Sequence, residues 1–210
     1  MKIAGDLCVY TNHHTTLEVI ENKEVYSTTK PILGYWGVRG KGQQVKHLLA
    51  YCGVDYDLTT YTQGGDPDFS MKEWYDQKYK LGLPFANLPY YIDGDVKLTE
   101  SKSIMKYIAK KNNPKLLGRD AVEIALADMV SRVHDTMHQQ FSTECFTNGN
   151  TPELQKLIER NAEKLSEFLG EKNYMVGDNV VFSDFSIFEM LDAMKFMSND
   201  GDALKKHPNL

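Results

Sequence analysis

Tyr35 is the first residue whose type and position suggest chemistry. It stands near the end of a short apolar run, Ile32–Trp36, and Gly37 and Gly40 separate that run from a stretch with helical periodicity. A phenol placed there lies beside the unpaired N–H groups and the partial positive charge of a helix N-terminus. Its O–H can donate a hydrogen bond to a substrate anion, although a tyrosine ending a buried strand more commonly belongs to the core.

A second candidate site combines Leu88, Pro89 and Ser101. A proline that begins a strand is often cis, which would leave the N–H and C=O of Leu88 for a peptide-like ligand. The hydroxyl of Ser101, with the N–H groups of the helix it begins, suits a carboxylate. Taken alone, Ser101 is better explained as an ordinary helix cap.

Two histidines, His134 and His138, are four residues apart on a predicted helix. That spacing can hold a metal ion, but no third ligand is evident. We therefore expect two partly exposed histidines and no metal site. A Gly-rich phosphate loop, HExxH and GxSxG do not occur in the sequence.

An alternating α/β segment over residues 31–112 must position these groups. Apolar periodicity and turn residues predict strands at 32–36 and 56–61, joined by a helix at 43–51. A short helix at 71–78, a hairpin over 88–99 and a helix at 101–111 follow. This β-α-β-α-β-β-α order is typical of a thioredoxin-like unit. No cysteine follows the first strand, so the unit cannot perform dithiol exchange by itself.

The rest of the chain is predicted to be helical. We expect a linker at 114–118 and helices at 120–146, 152–169 and 184–197, the second with Thr151 as its cap and Pro152 in its first turn. Helical spacing places Val122, Ala125, Met129 and Val133 on one face of the first helix. The same argument places Phe185, Phe188, Leu191 and Met194 inward on the last. Residues 1–30 are expected to form an N-terminal extension, 31–113 an α/β domain and 119–210 a helical domain.

Composition narrows the class of protein. The 210 residues are 41% hydrophobic and 25% charged, which is ordinary globular usage. The net charge of −5 argues against general nucleic-acid binding, and no apolar run approaches the ~18 residues of a membrane span. Three scattered cysteines, no glycosylation sequon and no secretory or presequence pattern favour a cytoplasmic location.

Several motifs together resemble one family, the mu-class glutathione transferases. They are Ile32-Leu33-Gly34-Tyr35-Trp36, the loop at 61–74, the segment from Tyr79 to Tyr90, and Ser101-Lys102-Ser103-Ile104. Ser166–Gly170 and Val176–Asp184 continue the match, so that the resemblance covers about 31–210. It implies the glutathione transferase fold, an α/β thioredoxin-like domain followed by an all-α domain, in agreement with the pattern of elements.

The resemblance also implies roles for particular residues. Tyr35 would be the catalytic group that donates a hydrogen bond to the sulfur of glutathione, a co-substrate bound without a metal. The glutathione-binding residues would be Trp36, Trp74, Lys78, Asn87, Leu88, Pro89, Glu100 and Ser101. Val38 and Phe146 would line the site of the second, small hydrophobic electrophilic substrate. Phe85 matches an aromatic key that fills a pocket of the partner subunit, so a homodimer is expected.

Some positions depart from the family pattern. Met71 replaces an arginine, with Lys72 as a possible substitute, and Glu100 replaces a glutamine. Phe146 replaces a tyrosine, and the C-terminal domain is expected to be truncated, with a protein partner or the extension covering the exposed side. These departures leave two alternatives to a transferase open: a non-catalytic scaffold or assembly subunit of the same fold, and a glutathione-dependent isomerase.

Overall fold

The computed structural model describes residues 30–65, 67–199 and 203–210. The predicted extension at 1–30 lies outside these ranges, apart from Lys30. Within them an α/β part comes first and a helical part follows.

A four-stranded mixed sheet lies at the centre of the α/β part. Its strands are β1 (Ile32–Trp36), β2 (Asp57–Tyr61), β3 (Tyr90–Asp93) and β4 (Val96–Thr99), in the order β2-β1-β3-β4. β2 runs parallel to β1, whereas β3 is antiparallel to both β1 and β4. A parallel pair needs a crossover connection, and the helix α1 (Gly40–Tyr51) supplies it.

Two further helices complete this part, α2 (Lys72–Lys78) and α3 (Ser101–Asn112). The order β-α-β-α-β-β-α confirms the predicted thioredoxin-like unit. α1 buries Val45, Leu48 and Leu49, as its periodicity predicts. β3 begins two residues later than expected, at Tyr90. Pro89 has no N–H to donate to a neighbouring strand.

The helical part contains α4 (Ala121–Asn148), α5 (Pro152–Leu169) and α6 (Phe182–Met197). α5 begins as predicted, because the Thr151 hydroxyl accepts the N–H of Leu154 at 3.1 Å. The expected linker is instead a 3₁₀ turn, Pro114–Leu117, which buries Leu116. Because the Leu116 side chain is buried in the core, the connection between α3 and α4 has a defined conformation.

One core extends across both parts. Leu48 of α1 and Ile104 and Ile108 of α3 belong to the same buried cluster as Ala127 of α4 and Phe182 of α6. A second cluster lies among α4, α5 and α6 and includes Leu154, Ile158, Leu165 and Met190. The shared cluster fixes the helical part against the back of α1 and α3.

The apolar face that the spacing predicts on α4 is largely exposed. Val122, Met129 and Val133 are between 42% and 66% exposed, while Ser131 and His134 are buried with Val130 and Met137. On this helix the buried His134 ring meets the Lys102 ammonium of α3, whereas the buried Ser131 hydroxyl has no hydrogen-bond partner among the described residues. On α6, Phe188 is likewise exposed rather than inward. Counting apolar residues misplaces a helix face that is buried through polar contacts.

Among the described residues, no helix combines the length and the apolar character needed to cross a membrane.

Candidate functional site

Tyr35 lies at the end of β1 and packs its ring against the start of α1. The side chain is 8% exposed, and its oxygen accepts the backbone N–H of Lys41 at 3.0 Å. A Cβ at Gly42 would stand 2.3 Å from the Tyr35 ring, and one at Gly40 would stand 2.7 Å from its hydroxyl. The two glycines therefore make the room in which the phenol meets the helix N-terminus.

This environment keeps the phenol protonated. Burial raises the pKa of Tyr35, and the backbone N–H groups of Lys41 and Gly42 oppose that rise only in part. Because its oxygen already accepts a hydrogen bond, the O–H hydrogen remains available to a ligand. An N–H bond to the oxygen polarises the O–H further and makes it a better donor to an anion.

The segment before β3 lies beside Tyr35. Gly34 pairs with Tyr90 in the antiparallel β1–β3 ladder, so the residues just before Tyr90 come opposite the end of β1. The Leu88–Pro89 bond is cis, as expected. Within the part of the chain that the structure describes, the N–H and C=O of Leu88 have no hydrogen-bond partner. A backbone donor and acceptor are thus presented next to the phenol.

The start of α3 forms a third wall. Ser101, its first residue, is 6% exposed and lines a cavity of about 560 Å³ together with Lys41 and Glu100. The amide of Asn87 donates to a Glu100 carboxylate oxygen at 3.4 Å. Asn87 thereby joins the segment before β3 to the start of α3. The N-termini of α1 and α3 meet at one cavity.

A cluster of aromatic side chains packs around Tyr90, at the start of β3. Trp74 is 4% exposed, stacks on Tyr90 at 6.1 Å between ring centroids and meets Tyr61 edge-on at 5.2 Å. Trp36 and Leu88 pack against this cluster. The ammonium of Lys78 lies 5.5 Å from the ring centroids of both Tyr75 and Tyr79. Trp74 is therefore largely a core residue, and Lys78 is the neighbouring cation.

Lys72 does not stand free to replace the arginine expected at Met71. Its ammonium pairs with the Asp76 carboxylate one turn along α2. Met71 itself is 41% exposed. Among the described residues, Lys78 contacts two aromatic rings and is not in an ion pair, unlike Lys72.

The residues expected to meet a second substrate are open to solvent. Val38, in the loop before α1, is 62% exposed, and Phe146, near the end of α4, is 91% exposed. Phe85, the expected dimer key, is 82% exposed. A separate cavity of about 550 Å³ opens in the helical part, with Met129, Val133, Leu165 and Phe168 among its walls.

His134 differs from the expectation for a partly exposed histidine. It is 2% exposed, and its Nδ1 lies 3.1 Å from the Lys102 ammonium. Burial lowers the pKa of His134 to about 4, so the ring is neutral near pH 7 and Nδ1 accepts that hydrogen bond. No group of three or more potential metal ligands was found within the described residues.

Sequence reasoning missed several residues that shape the site. Lys41 supplies the N–H to Tyr35, and Gly42 leaves space for its ring. Arg39 donates through Nε and Nη2 to the Glu189 carboxylate of α6 at 3.0 and 2.7 Å, which ties the Tyr35 loop to the helical part. Two glycines flanking Lys41 at a helix start were the available signal for close backbone approach.

Comparison with known proteins gives concordant results. The family described as "Glutathione S-transferase, N-terminal domain" matches residues 31–110, and "Glutathione S-transferase, C-terminal domain" matches residues 134–210. The chain is 39% identical over 183 residues to Glutathione S-transferase Mu 1 of Mus musculus, covering 85% of this chain and 82% of that protein.

Similarity extends to more distant animals. A Glutathione S-transferase of Dermatophagoides pteronyssinus is 36% identical over 172 residues, covering 80% of this chain and 78% of its own length. A solved structure of the Pi-class Glutathione S-transferase of Onchocerca volvulus superposes with a TM-score of 0.74 at 20% identity. It covers 86% of this chain and 84% of the other and shows the same fold.

Proposed function

This chain belongs to the glutathione S-transferase family of enzymes, in its mu class, and we propose that it activates the glutathione thiol for attack on small hydrophobic electrophiles. The observation that carries the proposal is the Lys41 N–H bond to the buried Tyr35 oxygen at 3.0 Å. It places the phenol oxygen at the N-terminus of α1, where the O–H hydrogen is left for a ligand.

The chemical requirement is a thiolate at neutral pH. A free thiol has a pKa near 8.5, and the thiolate is the nucleophile. Lowering that pKa by about two units takes roughly 2.7 kcal/mol of preferential stabilisation of the anion. A hydrogen bond from Tyr35 to the sulfur, made in a partly dry site, supplies a large part of this. The raised pKa of Tyr35 keeps the proton on the phenol, so that it donates to the sulfur without losing the proton.

Glutathione would then extend along the edge formed by β1, β3 and α3. Ser101 and the α3 N–H groups suit its γ-glutamyl carboxylate, and Glu100 suits the adjacent ammonium. The free backbone groups of Leu88 suit the cysteinyl unit. Lys78 and the indole N–H of Trp74 suit the glycyl carboxylate. The remaining glutathione-binding residues proposed here, Trp36, Asn87 and Pro89, pack or hydrogen-bond beside these groups.

A homodimer is part of this proposal. Phe85, which the resemblance identifies as the dimer key, is 82% exposed and so is accessible to a partner subunit. The cavity of about 550 Å³ in the helical part offers apolar walls for such a ring. Sedimentation of the wild type against Phe85→Ser tests the pairing: a dimer that dissociates in the variant supports it, and a monomeric wild type rejects it.

The cytoplasmic location and the domain limits 31–113 and 119–210 also stand as proposals. Cys52 and Cys145 are free thiols in the structure, which suits a reducing compartment.

The deciding experiment is conjugation of glutathione to chlorodinitrobenzene, run beside retention on glutathione resin, with Tyr35→Phe as the matched variant. We expect retention of both proteins and a loss of about 100-fold in kcat for Tyr35→Phe, because the variant lacks the donor to the sulfur as well as the acceptor of the Lys41 N–H. A wild type that is neither retained nor active would favour the scaffold alternative. Equal turnover by both proteins would remove Tyr35 from its role.

A further inference from the structure

Lys102 is a buried lysine at the junction of the two parts of the molecule. It is 8% exposed, and its ammonium lies 2.7 Å from Gln44 Oε1, 2.6 Å from Ser186 Oγ and 3.1 Å from His134 Nδ1. An ammonium has three N–H donors, and the structure provides three acceptors for them. Such a complete set of partners is typical of a group that fixes the elements around it.

The three acceptors come from three different helices. Gln44 lies on α1, His134 on α4 and Ser186 on α6, while Lys102 itself is the second residue of α3. The Ser186 hydroxyl donates to Gln44 Oε1 at 2.6 Å, which closes a triangle of hydrogen bonds around the ammonium. Removing Lys102 would therefore open contacts among four helices at one point.

The triangle is close to both helix N-termini of the proposed glutathione site. Lys102 directly follows Ser101, and Gln44 lies less than one turn beyond Lys41, whose N–H binds Tyr35. The relative position of the α1 and α3 N-termini decides whether one tripeptide can contact both. The Lys102–Gln44 hydrogen bond spans that separation.

Charges around the ammonium come from two of the neighbouring helices. Asp135 of α4 lies 3.7 Å away, and Lys41 of α1 and Arg132 of α4 add like charges. α6 contributes the uncharged Ser186, and His134 is neutral near pH 7. Burial lowers the pKa of Lys102 to about 7 against the attraction of Asp135.

We propose that Lys102 is a positioning residue that holds the start of α3 against α1 and the helical part, and so aligns Ser101 for the γ-glutamyl end of glutathione. The proposal rests on the proposed function and adds to it a dependence of glutathione affinity on a side chain that does not touch the ligand. The Tyr35–Lys41 contact joins the end of β1 to the start of α1, six residues apart in the chain, and does not involve α3. Thiol activation should therefore survive the loss of Lys102.

The test compares Lys102→Met with Lys110→Met, an exposed lysine on the same helix. In Lys102→Met we expect the KM for glutathione and the calorimetric Kd to rise about tenfold. We expect kcat at saturating glutathione to stay within about threefold of the wild type. Lys110→Met should match the wild type in all three quantities. Ser186→Ala removes one corner of the triangle with less disturbance of folding and should raise the KM about threefold.

Several outcomes would overturn the proposal. An unchanged KM in folded Lys102→Met would do so, and so would a fall in kcat at constant KM, which would assign Lys102 to the chemistry instead. If Lys102→Met does not fold, an unchanged Kd and KM in Ser186→Ala has the same force.

Failure of the proposed function gives a different result. A wild type that binds glutathione without turning over substrate rejects catalysis, and the Kd comparison still decides the role of Lys102. A wild type that neither binds nor reacts rejects both proposals.

Discussion

The residues proposed to hold glutathione and those proposed to meet the second substrate differ in burial. Tyr35, Trp74 and Ser101 are 8%, 4% and 6% exposed, whereas Val38 and Phe146 are 62% and 91% exposed. Packing fixes the rotamers of a buried side chain, while an exposed one keeps its conformational freedom until a ligand arrives. The proposed glutathione side, with Tyr35, Trp74 and Ser101, is therefore preorganised before a ligand binds. The proposed acceptor side, with Val38 and Phe146, is not.

The two sides also connect differently to the rest of the fold. The glutathione side is held by backbone contacts and by the Lys102 triangle, which reaches into the shared core. Near the acceptor side, the Arg39 guanidinium bridges to Glu189 and Asp192 while remaining 55% exposed.

Filling the space behind Tyr35 should have the largest effect on activity, because it displaces a side chain of the buried, proposed glutathione side. A Cβ at Gly42 would stand 2.3 Å from the ring, so Gly42→Ala must displace Tyr35 or the start of α1. We expect kcat/KM for glutathione to fall about 100-fold, with a loss of roughly 1–3 kcal/mol in the free energy of unfolding. Steady-state kinetics and urea unfolding measure both.

The matched control is Gly65→Ala, where a new Cβ meets nothing within 4 Å. It should leave both quantities close to the wild type. Full activity in Gly42→Ala would show that the ring tolerates a shift and that the proposed glutathione side is less rigid than its burial implies.

Acid should weaken the junction behind the proposed glutathione side through His134. Burial lowers its pKa to about 4 in the folded protein, against about 6.5 in an unfolded chain. Between these values the unfolded chain binds a proton that the folded one does not, so the free energy of unfolding falls as the pH drops from 6.5 to 4. The contribution is about 2–3 kcal/mol.

Urea unfolding of the wild type and of His134→Gln at pH 6.5, 5 and 4 checks this. Glutamine keeps an acceptor for Lys102 but has no ionisable ring, so the variant should lose less stability over the same range. Parallel curves for the two proteins would contradict the assignment.

The Arg39 guanidinium pairs with two carboxylates, the buried Glu189 and the more exposed Asp192. Their contributions to the free energy of unfolding can therefore be compared. Glu189 is 7% exposed and accepts two hydrogen bonds from Arg39, whereas the Asp192 side chain is 44% exposed. Glu189→Gln should lower the free energy of unfolding by about 2 kcal/mol, because the buried carboxylate that pairs with the Arg39 guanidinium is replaced by a neutral amide. Asp192→Asn should cost less than about 1 kcal/mol.

Thermal and urea unfolding of the two variants separates these cases. Equal losses would mean that the bridge behaves as one surface ion-pair network, and the contrast between its two carboxylates would disappear.

Truncating the open side should have the smallest effect. Phe146 makes few contacts at 91% exposure, so Phe146→Ala should change kcat/KM for chlorodinitrobenzene by less than about threefold. Phe196→Ala, an 86% exposed phenylalanine on α6, serves as the matched control. A tenfold loss confined to Phe146→Ala would show that this side also closes around its substrate.

Much of the fold could be predicted because its signals are local. The glycines after β1, the proline before β3 and the Thr151–Pro152 helix start are recognised over a few residues, and each of these elements is present. The resemblance placed Tyr35, Leu88 and Ser101 in one site. In the structure they lie at the end of β1, just before β3 and just after β4, at the same end of the sheet. The Pro114–Leu117 turn was missed, because its order depends on burying Leu116 in a core formed by distant residues.

The face of α4 could not be predicted for a related reason. His134 and Ser131 are buried while Met129 and Val133 are exposed. Lys102 of α3 supplies a polar partner for His134, and a cavity opens beside Met129 and Val133. Periodicity records which residues share a face. It does not record what packs against that face.

By itself the sequence determined the order of strands and helices, the family, and the residue types available at the ends of β1, β3 and at the start of α3. These follow from short-range conformational preferences and from motifs a few residues long. Only the tertiary structure decided that Lys41 meets the Tyr35 oxygen and that Lys102 joins four helices. Such contacts form when folding removes polar groups that are distant in the sequence from water at the same point. A buried polar group without a hydrogen bond is costly in free energy, so the structure that forms is one in which these groups pair.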